Sequence, residues 1–181
     1  MSAYAERVIG QLGDSDFFNQ AGLEFVREAW IAGQFGEMRK AESVRLLAEE
    51  RPDLALRFSD GREERYELLE ADIARKRGDE YKRAETENVR ISDGPASKWA
   101  TATQAFEAIT KAAEKKAERA ENLQRSGTPY PAGTSLLIYL NVSEYGTHER
   151  EIESTFCAAV NAARKWFSSI WILWKARAYQ V

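Results

Sequence analysis

The chain has one cysteine, Cys157, and one histidine, His148, among its 181 residues. That scarcity excludes a disulfide framework and any zinc site built from clustered Cys and His. The two residues lie nine positions apart, which on one helix turns them about 180° from each other, so they form no nucleophile and base dyad. No GxxxxGK[ST] phosphate loop, GxGxxG fingerprint or GxSxG elbow occurs. No apolar run approaches the roughly 20 residues of a membrane span, so no membrane partner is expected. Met1 to Arg7 lacks the basic start and apolar stretch of an export signal, and a soluble protein of the reducing cytoplasm is expected. Asn141-Val142-Ser143 therefore reads as a chance glycosylation triplet. An excess of basic charge is missing too: 26 Lys plus Arg stand against 29 Asp plus Glu. That balance counts against a protein that coats nucleic acid by broad phosphate neutralisation, and any such partner must use a local patch.

What is present is a pattern of alternating element types. Phe18, Ala21, Phe25, Val26 and Ala29 follow helical spacing from Asp16 to about Ala32, with Asp14, Ser15 or Asp16 as cap and Gly33 and Gly36 as punctuation. Arg39 to Glu50 balances strand alternation against helical composition, and the alternation of Glu42 to Leu46 favours a strand. Pro52 to Phe58, the turn Ser59-Asp60-Gly61-Arg62 and Glu63 to Asp72 predict a β-hairpin, since Asp-Gly between alternating runs suits a tight turn. If the face of Leu54, Leu56 and Phe58 matches that of Tyr66 and Leu68, Asp53 shares the opposite face with Glu67 and Leu69. A one-residue change in loop parity aligns Asp53 with Glu70 instead.

Residues 73–98 read as a charged, mobile crossing segment. Ser97 is positioned to cap a long helix reaching Ser126, with Trp99, Ala102, Phe106, Ile109, Ala113, Ala117 and Ala120 as its apolar stripe and Gly127 as its stop. Ser135 to Val142 and Ile170 to Trp174 read as strands covered on both faces. Between them, a helix capped by Thr147 turns Ile152, Phe156, Ala159, Val160 and Ala163 inward. Strand, helix and strand make a right-handed βαβ unit with parallel strands. The whole is one α/β domain, residues 1–181.

Pro52-Asp53, the short hairpin and the acidic strand after it, inside an αβββαβ succession over roughly residues 16 to 175, resemble the PD-(D/E)xK, or restriction-endonuclease-like, superfamily. The resemblance implies a mixed central sheet flanked by helices and a metal-dependent nuclease acting on nucleic acid. It implies two acids on neighbouring strands that hold Mg²⁺ or Mn²⁺, and a lysine two residues beyond the second acid that helps position the attacking water. Asp53 matches the first acid, and Glu67 or Glu70 the second. Glu70 is preferred, because a carboxylate after Leu68-Leu69, deep in a strand, is costly unless paired or metal-bound. Asp72 is a further carboxylate of the same run.

The expected lysine position holds Leu69 after Glu67 and Asp72 after Glu70. Relatives with a displaced basic residue let Lys76, Arg75 or Lys111 substitute. Glu24 and Glu28 could add a third carboxylate, as the first helix does in some relatives, although a solvent-facing role explains them more simply. Arg75, Lys76, Arg77 and Lys82 could grip phosphates at a cleft rim, with Asp79, Glu80, Glu85 and Glu87 diluting them. Trp166, Trp171, Trp174 and Phe167 read as core packing rather than base stacking. Two other functions compete: a catalytically inactive binding or assembly protein on the same scaffold, and a structural homodimer associating through the helix of Thr110 to Gln124.

Overall fold

The computed structural model describes residues 24–47, 51–73, 101–142 and 149–181, together with positions 7, 82 and 86. In chain order the elements are α1 (Glu24–Met38), β1 (Ser43–Leu46), β2 (Leu54–Arg57), β3 (Glu63–Asp72), α2 (Ala102–Arg125), β4 (Ser135–Asn141), α3 (Glu149–Ala159), β5 (Ile170–Trp174) and β6 (Arg177–Gln180). The six strands form one mixed sheet in the order β1-β2-β3-β4-β5-β6. β1, β2 and β3 pair antiparallel, β3, β4 and β5 pair parallel, and β6 returns antiparallel along β5.

Strand alternation divides the core between the two faces of the sheet. On one face, Ile31, Ala32 and Phe35 of α1 pack on Leu54, Leu56, Tyr66, Leu68, Leu137 and Leu173. On the other, Ala105, Ile109 and Ala113 of α2 and Ile152 and Phe156 of α3 cover Leu136, Ile138, Ile172 and Trp174. Every residue of β4 is buried, which is why its sequence is nearly continuous in apolar side chains rather than alternating. Trp174 lies in the core against Phe156, as packing rather than stacking predicts. Among the described residues no helix is long and apolar enough to cross a membrane.

The hairpin forms where Asp60-Gly61 predicts it, with Gly61 at φ +82° and the Arg62 amide donating to Asp60 Oδ1 at 3.0 Å. Its register pairs Leu54 with Tyr66 and Leu56 with Glu64, the alignment that groups Asp53 with Glu67.

Three boundaries differ from expectation. α1 runs through Gly33 and Gly36 to Met38, because Gly36 is the point where β1 crosses the helix: a Cβ there would collide with Cγ2 of Val44. The cap of α2 is Thr101, whose hydroxyl accepts from the Gln104 amide while the Gln104 side chain accepts from the Thr101 amide. α3 stops at Ala159, and Ala163 reaches the core from a short 3₁₀ turn. The expected caps Asp14 to Asp16, Ser97 and Thr147 lie outside the described residues, as do Trp99 and His148. β6 carried no sequence signal of its own. It follows a two-residue turn, Lys175-Ala176, with φ of 53° and 52°, the left-handed pair that a tight hairpin needs without the usual Asn or Gly.

Candidate functional site: a carboxylate pair at a strand fork

β2 accompanies β3 only as far as Tyr66, while β3 continues beside β4 to Asp72. From Leu68 onward the β2 side of β3 is therefore an open edge, and backbone groups there need other partners. Asp53 supplies the first: its Oδ2 accepts from the Leu68 amide at 2.6 Å. Its own backbone is pinned on both sides, the amide donating to Tyr66 O at 3.0 Å and the carbonyl accepting from the Leu47 amide at 2.9 Å. The acid thus sits at the fork on rigid backbone with its side chain oriented.

Glu67 is next to it and is 1% exposed. Burial pushes its carboxyl up to about 7; Lys116 opposes that rise and the neighbouring Asp53 carboxylate adds to it. Lys116 Nζ, also buried, reaches across from α2 to donate to Glu67 Oε2 at 2.6 Å. Glu67 Oε1 is buried and accepts from no donor among the described residues. The Asp53 carboxyl hydrogen-bonds Glu67 and helps to raise it, so the two acids either share a proton or, when both are ionised, need a cation between them.

Glu28 of α1 approaches from the other layer. Its carboxyl is raised by partial burial and by Asp53, and lowered by Arg27 and more weakly by Lys116. Tyr130, from the loop after α2, adds a buried hydroxyl with no hydrogen-bond partner among the described residues. Burial and then Glu67 push its pKa up to about 12, with Arg119 opposing.

Beside this group opens a cleft of about 450 Å³ along the free edge of β3. Glu28, Glu70 and Asp72 line it from α1 and β3, and Lys115, Lys116 and Arg119 from α2.

The sequence-predicted residues divide as follows. Asp53 and Glu67 come together. Glu70 lies three positions further on, so it emerges on the α1 side of the sheet, where Arg27 Nε stands 3.7 Å from its Oε1. Burial, then Asp72, raises its carboxyl, with Arg27 opposing. Asp72, at the end of β3, accepts from Asn141 Nδ2 at 2.8 Å. Leu69, in the motif's lysine position, packs against the α2 side of the core. Lys111 is exposed and outside the cleft lining, whereas Lys116, five residues on, provides the ammonium. Arg75, Lys76 and Arg77 lie outside the described residues, and Lys82 is an exposed helical position whose carbonyl accepts from the Thr86 hydroxyl at 2.7 Å.

Two contributors escaped the sequence reading. Lys116 carried a signal, because it interrupts the apolar stripe of α2 between Ala113 and Ala117 and Ala120, and a charge on a buried helix face needs a partner. Tyr130, between two prolines of a turn, carried none.

Among the described residues no three Asp, Glu, His or Cys side chains are gathered into a group that could hold a metal ion. Two carboxylates remain a sufficient protein contribution for a hard dication that keeps most of its water, such as Mg²⁺. The unpartnered Oε1 of Glu67, beside an oriented Asp53, fits that donor set. No family model, curated protein or solved structure matches this chain.

Proposed function

We propose that this chain is a metal-dependent phosphodiesterase of nuclease type on a PD-(D/E)xK-like scaffold. In this reading Asp53 and Glu67 hold Mg²⁺ or Mn²⁺, and Lys116 stands in for the lysine absent from the motif. The observation that carries the reading is the Asp53 and Glu67 pair at the fork, two adjoining carboxyl groups with one buried oxygen of Glu67 that accepts from no donor among the described residues.

The topology supports it. Three antiparallel strands, a helix and then a strand parallel to the third follow the αβββαβ order of that superfamily, with one acid immediately before the second strand and the other on the third. A lysine displaced from strand to helix has the precedent of relatives whose basic residue has moved. Nucleic acid is the substrate class this reading carries.

When bound, the dication would supply positive charge beside an anionic phosphodiester and acidify the attacking water. The chain's own residues prepare that arrangement. The Leu68 amide fixes the rotation of Asp53, and Lys116 fixes Glu67 and offsets part of its charge. The core around Leu68 and Ile109 holds both backbones in place. Glu28 brings a third carboxylate within electrostatic reach.

A catalytically inactive binding or assembly protein on the same scaffold is the second reading. It is favoured by Lys116, whose ammonium is already engaged by Glu67. One assay separates the two: cleavage of plasmid and labelled oligonucleotides with Mg²⁺ or Mn²⁺. The nuclease reading expects cleavage that chelation stops and that falls at least 100-fold in Asp53→Ala and Glu67→Gln. Undiminished cleavage in both variants excludes these ligands, and absence of cleavage with intact nucleic-acid binding favours the inactive protein.

A further inference from the structure

The charges of α2 are sorted in a way that packing does not require. Lys111, Lys115 and Arg119 follow at intervals of four, so they rise along one flank of the helix roughly 6 Å apart. Glu114, Glu118 and Glu121 occupy another flank, roughly a quarter-turn away. The basic flank is the one nearer Lys116, and Lys115 and Arg119 line the cleft.

Among the described residues none of the three cations makes an ion pair. Arg125, further along the same helix, pairs with Glu121 at 2.7 Å. Unpaired Lys115 and Arg119 in the cleft lining, with Lys111 one turn beyond it and Glu28, Glu70 and Asp72 in the same lining, suit a chain of anions that must pass close to those carboxylates. At the inner end Arg119 adjoins Tyr130, whose buried hydroxyl has no hydrogen-bond partner among the described residues.

We propose that the cleft binds a single nucleic-acid strand by its phosphates, with Arg119, Lys115 and Lys111 as successive contacts leading outward from the carboxylate pair. This rests on the nuclease reading only for the choice of polyanion, and it is tested without metal. Spacing and cleft size favour a single strand. A step of roughly 6 Å along the helix is close to the separation of successive phosphates in an extended strand. A cleft of about 450 Å³ admits a nucleotide or two but no duplex. The outer two cations are exposed, as in grooves that track a single-stranded backbone.

The test is fluorescence anisotropy of a labelled oligonucleotide with the full chain in EDTA, between 50 and 200 mM salt, single-stranded and duplex. Three phosphate contacts give a slope of log K against log salt of about −2 for a single strand. Lys115→Gln with Arg119→Gln is expected to weaken binding about tenfold or more and to flatten that slope by more than one unit. Glu114→Gln with Glu118→Gln, on the neighbouring flank, is expected to leave binding unchanged or slightly tighter.

The same affinity and slope in the Lys115 and Arg119 variant would overturn the proposal. So would duplex binding tighter than single-strand binding with the same residue dependence. Because binding is read without a dication, an inactive enzyme with an intact binding track, and an active enzyme lacking it, give different results.

Discussion

Glu67 and Lys116 form the most consequential pair of residues, and their energetics depend on pH. The fold raises the Glu67 carboxyl from an ordinary 4.5 to about 7, so the folded state holds that proton more tightly than the unfolded chain does. The contribution of Glu67 to stability is therefore fullest below about 4.5 and is lost as pH rises through about 7. Glu67→Gln keeps an oxygen for Lys116 and removes the titration. Chemical denaturation at pH 5 and pH 8 is expected to show wild type losing stability relative to this variant, by on the order of 2 kcal/mol. Equal pH profiles would contradict it. Lys116→Ala acts in the opposite sense, because at pH 8 it leaves a buried carboxylate without its cation, at a cost of roughly 3 kcal/mol. At pH 5, where Glu67 takes up a proton, that cost should shrink.

At the scale of elements, Gly36 shows how a contact between elements overrides a local signal. Its place in sequence reads as a helix stop, yet α1 continues through it, because β1 lies so close that only a hydrogen fits. Alanine there gains about 1 kcal/mol of helix propensity and meets Val44, and overpacking of this kind costs typically about 1–3 kcal/mol. Urea unfolding of Gly36→Ala is expected to show a net loss of about 1 kcal/mol, recovered when Val44→Ala is added. A stabilised single variant would mean that the crossing is looser than described.

The same distinction explains what the sequence could reveal. The hairpin, β4, β5 and the stripe of α2 were legible, because Asp-Gly turns and apolar periodicity are local properties. The β5 to β6 turn was not, since Lys175 and Ala176 take left-handed φ values that their side chains do not announce. Asp53 and Glu67 were legible as alternatives once strand parity was considered. Choosing between Glu67 and Glu70 needed the register, and finding Lys116 needed the docking of α2 on β3, a contact 49 residues apart in sequence.

For the whole molecule, the sheet separates support from chemistry. One surface carries α1, the other α2 and α3, and both layers are closed over the centre of β4. A cleft opens between the layers where β2 leaves β3, and there carboxylates from α1 and β3 meet cations from α2. The apolar stripe of α2 is spent inside this core, so the helix offers its charged flanks to solvent.

The proposed function requires Asp53 and Glu67 to hold one dication between them. Calorimetric titration of MnCl₂ into the full chain at pH 8 measures that binding. A saturable site is expected in wild type and in Glu70→Gln, and its loss is expected in Asp53→Asn and in Glu67→Gln. Heats no greater than dilution in wild type, or undiminished binding in Asp53→Asn, would mean that these two acids hold no dication.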